Sequence, residues 1–200
     1  MTPRDADPAF DATDPHAHLR ADPHLGPYVE SHGELDLEPA ADPFARTVVS
    51  VMNQQLSTAS AAAIRERVFD RFEVTPSGML AAEESSLRDA GLSAQKVEYV
   101  REIARAFDDD RIDPHRFTTM DEDAVVAELT DVRGVGDWTA KMFLMFVLGR
   151  EDVFAVEDLG IRKGMEELFG DLTRAEMVDR AEPWRPYRSY ASLYLWRAVD

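Results

Sequence analysis

The chain has 200 residues, 44% of them hydrophobic, no cysteine, and a formal net charge of −17 at pH 7. That size and apolar content allow one sizeable core, or two lobes sharing a cleft, while the lack of cysteine excludes disulfides and thiolate metal sites. A balance this acidic repels polyanions at long range, so where the charge lies matters more than its sum.

Residues 1–43 carry ten acidic side chains against Arg4 and Arg20, a net of −8. Residues 131–163 are nearly neutral, with Arg133, Lys141, Arg150, Arg162 and Lys163 against six acids, and the tail from 183 is basic, with Arg185, Arg188 and Arg197 against Asp200. No apolar run approaches the length of a membrane span, and the opening MTPRDADPAFDATDP has no hydrophobic signal core. A cytoplasmic protein with no membrane partner is expected.

Taken in order, residues 1–13 combine proline and aspartate with little to bury, and disorder is expected there. Asp14 to His32 reads as one or two short helices broken at Pro23 and Pro27, with Leu19, Leu25, Tyr28 and Val29 on the apolar side. Residues 1–40 thus form an acidic arm that docks on a main domain of residues 41–200. His16, His18 and His24 lie in the arm without an HExxH motif or a carboxylate constellation, and they read as surface histidines rather than metal ligands.

Asp42 or Pro43 opens the first long helix, with Phe44, Val48, Val51, Met52 and Leu56 at helical spacing, and a second helix begins at Ser57 or Thr58 with Ala61, Ile64, Val68 and Phe72 inward. Thr75-Pro76 reads as a turn, Glu83–Ala90 as a short helix stopped by Gly91, and Ser93 as the cap of a helix burying Val97, Val100, Ile103, Ala104 and Phe107. Pro114 breaks the chain, and Asp121 caps a helix through Val125 and Leu129. Met142 to Val147 is apolar nearly all round, the mark of a buried central helix. A helix from Thr173 to Glu182 and a last one opened by Pro186, with Tyr190, Leu193, Tyr194 and Trp196, complete the chain. No alternating strand pattern occurs, so the fold expected is all-α, a two-lobed helical bundle with a central cleft.

The stretch LTDVRGVGDWTAKMFLMFVLGREDVFAVEDLGIR, Leu129 to Arg162, organises the rest. Gly134 and Gly136 fall between an amphipathic helix and an apolar one, which places a tight hairpin near 131–137. Gly134 can take a positive φ, and Gly136 can open the next helix with its N–H groups unscreened, an arrangement that binds anions such as phosphate. GVGDWTA with an aspartate, Asp158, twenty residues beyond Trp138, then DVFAVEDLGIRKG and YRSYASLYLWR, resembles the helix-hairpin-helix, glycine-proline-aspartate superfamily of DNA glycosylases, in its 3-methyladenine DNA glycosylase II (AlkA-like) branch.

The resemblance implies a monomeric enzyme of base excision repair that acts on duplex DNA with damaged bases, N-alkylated purines such as 3-methyladenine and 7-methylguanine, and needs no cofactor. Lacking cysteine, this chain cannot hold the iron–sulfur cluster that some relatives carry. Asp158 matches the catalytic aspartate; read from its neighbours alone it is a helix N-cap, and the two roles are compatible. Trp138 stands where relatives with lyase activity carry a lysine, which implies a monofunctional enzyme. Lys141, three residues further on, points elsewhere on the helix.

Trp138 and Trp196 match aromatic positions of the base pocket, against the alternative of plain core packing. Met142 departs from a position often aromatic, and this keeps open another lesion, such as hypoxanthine or an oxidised base. The loop Asn53, Gln54, Gln55, Leu56, Ser57 matches the segment that fills the gap left by the flipped base, with Gln55 as the wedge, or else forms an ordinary helix–loop–helix corner. Arg133, Gly134, Val135, Gly136 and Thr139 match the DNA-binding hairpin, whose backbone at 131–136 implies a bound monovalent cation as well. Tyr187 and Arg188 read as supports for the last helix. A non-enzymatic helix-hairpin-helix binding module is the rival reading, and Asp158 argues against it.

With Lys96, Lys141 and Lys163 as its only lysines and abundant aspartate, the surface suits a high-salt cytosol, although an ordinary acidic surface has the same composition. Unfolding midpoints should therefore rise from low salt to about 1 M KCl, where the screening length falls to about 3 Å. Equal midpoints would point to the ordinary surface.

Overall fold

The structure is a computed structural model that describes residues 14–199; the disorder expected over 1–13 lies outside the described residues. Among the described residues every regular element is helical. In chain order they are α1 (Pro15–Arg20), α2 (Gly26–His32), α3 (Pro43–Asn53), α4 (Thr58–Arg71), α5 (Pro76–Ala81), α6 (Glu84–Asp89), α7 (Ala94–Asp108), α8 (Pro114–Phe117), α9 (Glu122–Thr130), α10 (Asp137–Phe146), α11 (Leu159–Phe169), α12 (Arg174–Ala181), a 3-10 turn (Glu182–Trp184) and α13 (Arg188–Arg197). No helix among the described residues is long and apolar enough to cross a membrane.

Most of these helices are short, so their starts are written into the sequence. Asp42, Ser57, Thr75, Ser93, Asp113 and Thr173 each accept a backbone N–H of the helix they precede. Several prolines occupy a first turn, where the missing N–H costs nothing. This corrects three expectations. Thr75-Pro76 opens α5 rather than a turn, Pro114 opens α8 rather than only ending what precedes it, and Pro27 sits inside the first turn of α2 rather than breaking it. Pro186 lies just ahead of α13, whose N-cap is Tyr187.

The chain divides into two compact units, Glu38–Gly149 and the segments Met1–Leu37 with Arg150–Asp200. In the first, α7 buries Val97, Val100, Ile103 and Ala104 against α3, α5 and α6. The α10 helix, apolar nearly all round, packs on α3 and α9 and buries Met142, Phe143, Leu144 and Met145. Each such side chain contributes about 1.5–3 kcal/mol on leaving water. Phe44 and Phe107 meet edge to face at 5.4 Å, as do Phe117 and Phe143 at 6.0 Å. Leu56, placed on the helix face by periodicity, is 39% exposed because α3 ends at Asn53.

In the second unit α13 packs against α1, α2 and α11. Trp184, Tyr194, Leu19 and Leu25 are among its fully buried side chains. The segment 14–37 is tied down by polar bonds as well: Tyr194 Oη donates to the Gly33 carbonyl at 2.9 Å and lies 2.9 Å from His16 Nδ1, and His18 Nε2 lies 3.0 Å from the Pro183 carbonyl. His16 is therefore a buried core histidine, not a surface one, and the reason is long-range: its partner is 178 residues away. No group of three or more His, Cys, Asp or Glu side chains among the described residues is placed to hold a metal.

Arg188 fastens the start of α13. Its guanidinium reaches Asp152 Oδ1 at 2.7 Å, Oδ2 at 3.1 Å and the Asp152 carbonyl at 3.0 Å, while only 8% of the residue remains exposed. The α11–α13 contact is tight at Gly164, where an added Cβ would lie 2.8 Å from Leu195 Cβ and closer still to the Leu195 carbonyl. Gly164→Ala should consequently lower stability by about 1–3 kcal/mol, seen as a lower urea midpoint with an unchanged slope.

Candidate active site

Within the Glu38–Gly149 unit, α9 ends at Thr130, and the Val135 N–H closes the turn on the Val132 carbonyl at 3.0 Å. Gly134 has φ +98°, and a Cβ there would run into the Tyr99 ring, so two independent reasons hold glycine at this position. Gly136 differs. It is the N-cap of α10, its φ is an ordinary −104°, and a Cβ would meet nothing within 4 Å. No side chain caps that helix start. Arg133 projects from the turn and pairs with Glu98 at 2.6 Å, both well exposed.

Behind the hairpin stands a side chain to which the sequence assigned no role beyond its place in the 53–57 loop. Gln54 Nε2 donates to the Gly134 carbonyl at 3.0 Å and to Thr139 Oγ1 at 2.8 Å, which explains why Thr139 is buried. Lys96, on α7, donates to the Met52 carbonyl at 2.7 Å and the Gln54 carbonyl at 2.9 Å, holding the C-terminal end of α3. Burial pushes its ammonium below the usual lysine range. Next to Gln54, Gln55 has φ +57° and is exposed, as are Leu56 and Ser57. Only helix-end geometry could have separated the inward glutamine from the outward one, since the two are neighbours of identical type.

On α10, Trp138 and Met142 are four residues apart and so share a face. Trp138 is half-buried and Met142 only 3% exposed. The Val132 carbonyl accepts the Val135 N–H, and the Gly134 carbonyl accepts the Gln54 amide.

In the other unit Asp158 is the N-cap of α11. Its Oδ1 accepts the Ile161 N–H at 2.8 Å and the Trp196 indole Nε1–H, also at 2.8 Å. Two donors on one oxygen, one of them at the start of a helix, fix its rotamer. Gly160 makes the second bond attainable, because a Cβ there would lie 2.6 Å from Trp196 Cδ1. Sequence reading brought Asp158 and Trp196 to one function but not to one hydrogen bond, and it missed Gly160. Glu157, beside Asp158, is half-buried.

A family model described as HhH-GPD superfamily base excision DNA repair protein matches residues 48–186. The chain belongs to this family. The HhH-GPD fold extends over nearly all of it: the chain superposes on Schizosaccharomyces pombe 3-methyladenine DNA glycosylase (Mag1), solved in complex with abasic DNA, with a TM-score of 0.84 and 27% identity, covering 92% of this chain and 95% of that one. A DNA-3-methyladenine glycosidase from Bacillus halodurans matches with a TM-score of 0.76 and 33% identity, over 94% of this chain and 90% of that one. The Bacillus subtilis protein YfjP is 28% identical over 162 residues, 75% of this chain, and this chain spans 56% of its length.

The cap role of Asp158 can be measured apart from chemistry. Asp158→Ala removes the acceptor for both donors and should cost about 0.5–2 kcal/mol in urea unfolding, while Asp158→Asn keeps an acceptor oxygen and should cost less.

Proposed function

We propose that this HhH-GPD protein is a monofunctional DNA glycosylase that flips an N-alkylated purine, such as 3-methyladenine or 7-methylguanine, out of duplex DNA and hydrolyses its glycosidic bond. The observation that carries the reading is Asp158, a carboxylate fixed by Ile161 N–H and Trp196 Nε1–H at the start of α11. As the C1′–N bond breaks, its electron pair leaves with the base and the sugar becomes oxocarbenium-like. The ionised carboxylate stabilises that cation, then orients and deprotonates the water that adds to C1′.

Methylation puts positive charge on the purine, so the base departs neutral with little acid assistance, and the indoles of Trp138 and Trp196 attract the charged ring. With tryptophan rather than lysine at 138 there is no amine to form a Schiff base, and the product is an intact abasic site. Gln55 fills the gap left by the flipped nucleotide, flanked by Leu56 and Ser57.

The hairpin residues Arg133, Gly134, Val135, Gly136 and Thr139 seat a backbone phosphate. The open space around Gly136 supports this, since nothing inside the protein demands glycine there. A monovalent cation on the hairpin carbonyls would add positive charge beside that phosphate. The enzyme acts as a cytoplasmic monomer, and concentrated salt shortens the reach of its negative field.

Incubation with DNA methylated at N3 and N7 of purines should release free methylpurine and leave uncleaved abasic strands. Asp158→Asn should slow release by roughly 10²–10⁴-fold. Binding without release by the wild type would move the reading to another lesion, such as hypoxanthine or an oxidised base, or to a binding module.

A further inference from the structure

Gln54 and Lys96 have no part in the steps above, yet they carry four hydrogen bonds around one corner of the chain. That corner is unusual. Gln55 sits in the left-handed region at φ +57°, which side-chain-bearing residues adopt rarely, and it is exposed. What holds it there is on either side. Lys96 grips the Met52 and Gln54 carbonyls that precede it, and Ser57 caps α4 just after it. Gln54 turns the other way and ties the same corner to the hairpin through the Gly134 carbonyl and Thr139 Oγ1. Both N–H bonds of its amide are used in that link, so its orientation is set.

We infer that Gln54 and Lys96 are positioning residues that hold the Gln55 corner and the Gly134 hairpin in one fixed register. The inference rests on the proposed glycosylase reading for its function. A phosphate seated on the hairpin and the gap left by a flipped base are parts of one duplex, and their separation is a property of DNA. A wedge that enters the gap must therefore stand at a set offset from the phosphate seat, and the Gln54 link supplies that offset without touching DNA. Removing Lys96 leaves two carbonyls at the end of α3 unmatched, and removing the Gln54 amide leaves the hairpin carbonyl and the buried Thr139 hydroxyl without their shared donor.

The test compares Gln54→Ala, Gln55→Ala, their double variant, Lys96→Met and Lys96→Arg in single-turnover release of methylpurine from duplex and from single-stranded DNA. A duplex must be opened and its gap filled, whereas a single strand needs neither. Gln54→Ala and Lys96→Met should slow release from duplex by roughly 10–100-fold, as a small misplacement does, and leave single-strand release within about twofold. Lys96→Arg should restore the duplex rate, and the double variant should be no slower than Gln55→Ala, because the two glutamines act through one wedge. Equal losses on both substrates, or additive losses in the double variant, would overturn the inference and leave a stabilising role only.

Amide hydrogen exchange of the free protein supplies a readout that needs no activity. Gln54→Ala should raise exchange at 53–57 and 134–139 together and leave α7 unchanged; unchanged exchange in either segment would overturn the shared register. Failure of the wild type to release any base would instead count against the glycosylase reading, with the exchange result still deciding the link.

Discussion

A helix begins with N–H groups that no residue of the same helix can accept, and in a chain built of short helices this constraint recurs every dozen residues or so. Most of the starts are settled locally, by Asp, Ser or Thr caps and by prolines that have no N–H to satisfy. Two starts belong to the candidate machinery. The start of α10 has glycine where a cap would stand, with open space beside it. The start of α11 has a cap, Asp158, whose accepting oxygen is shared with an indole from α13.

The same logic extends to the other helix end. The last carbonyls of α3 take their partners from Lys96, on α7, and the glutamine that follows reaches the hairpin. Lysine is scarce in this sequence, and one of its three copies is committed to backbone. Arginines are committed too: Arg188 to Asp152, Arg116 to Glu128, Arg133 to Glu98. The Arg133 pair is exposed and so contributes little to stability.

Glycines illustrate why spacing alone misleads about cause. Gly134, Gly160 and Gly164 are all demanded by the protein itself, respectively for the Tyr99 ring, for the Trp196 indole beside Asp158, and for the α11–α13 contact. Gly136 is not, and that difference separates the residue that shapes the turn from the one that leaves room beyond it. Proline misled in the opposite direction. Pro76 and Pro114 read as interruptions because they fix φ and lack a donor, and those are the properties that make them good first residues of a helix.

Much of the fold was legible without coordinates. The absence of any two-residue alternation indicated an all-α chain, the caps at Asp42, Ser57 and Ser93 located helix starts, and GVG followed by an apolar run located the hairpin. These are decided by neighbours within one or two turns, where backbone sterics and hydrogen-bond partners follow from residue type. The burial of His16 against Tyr194, the inward turn of Gln54 beside an outward Gln55, the Lys96 grip on α3 and the bond from Trp196 to Asp158 were not legible. Each joins residues between 38 and 178 positions apart in the chain. The sequence determines which groups must find a partner; which distant partner each one finds depends on how the helices pack, and only the tertiary structure decides that.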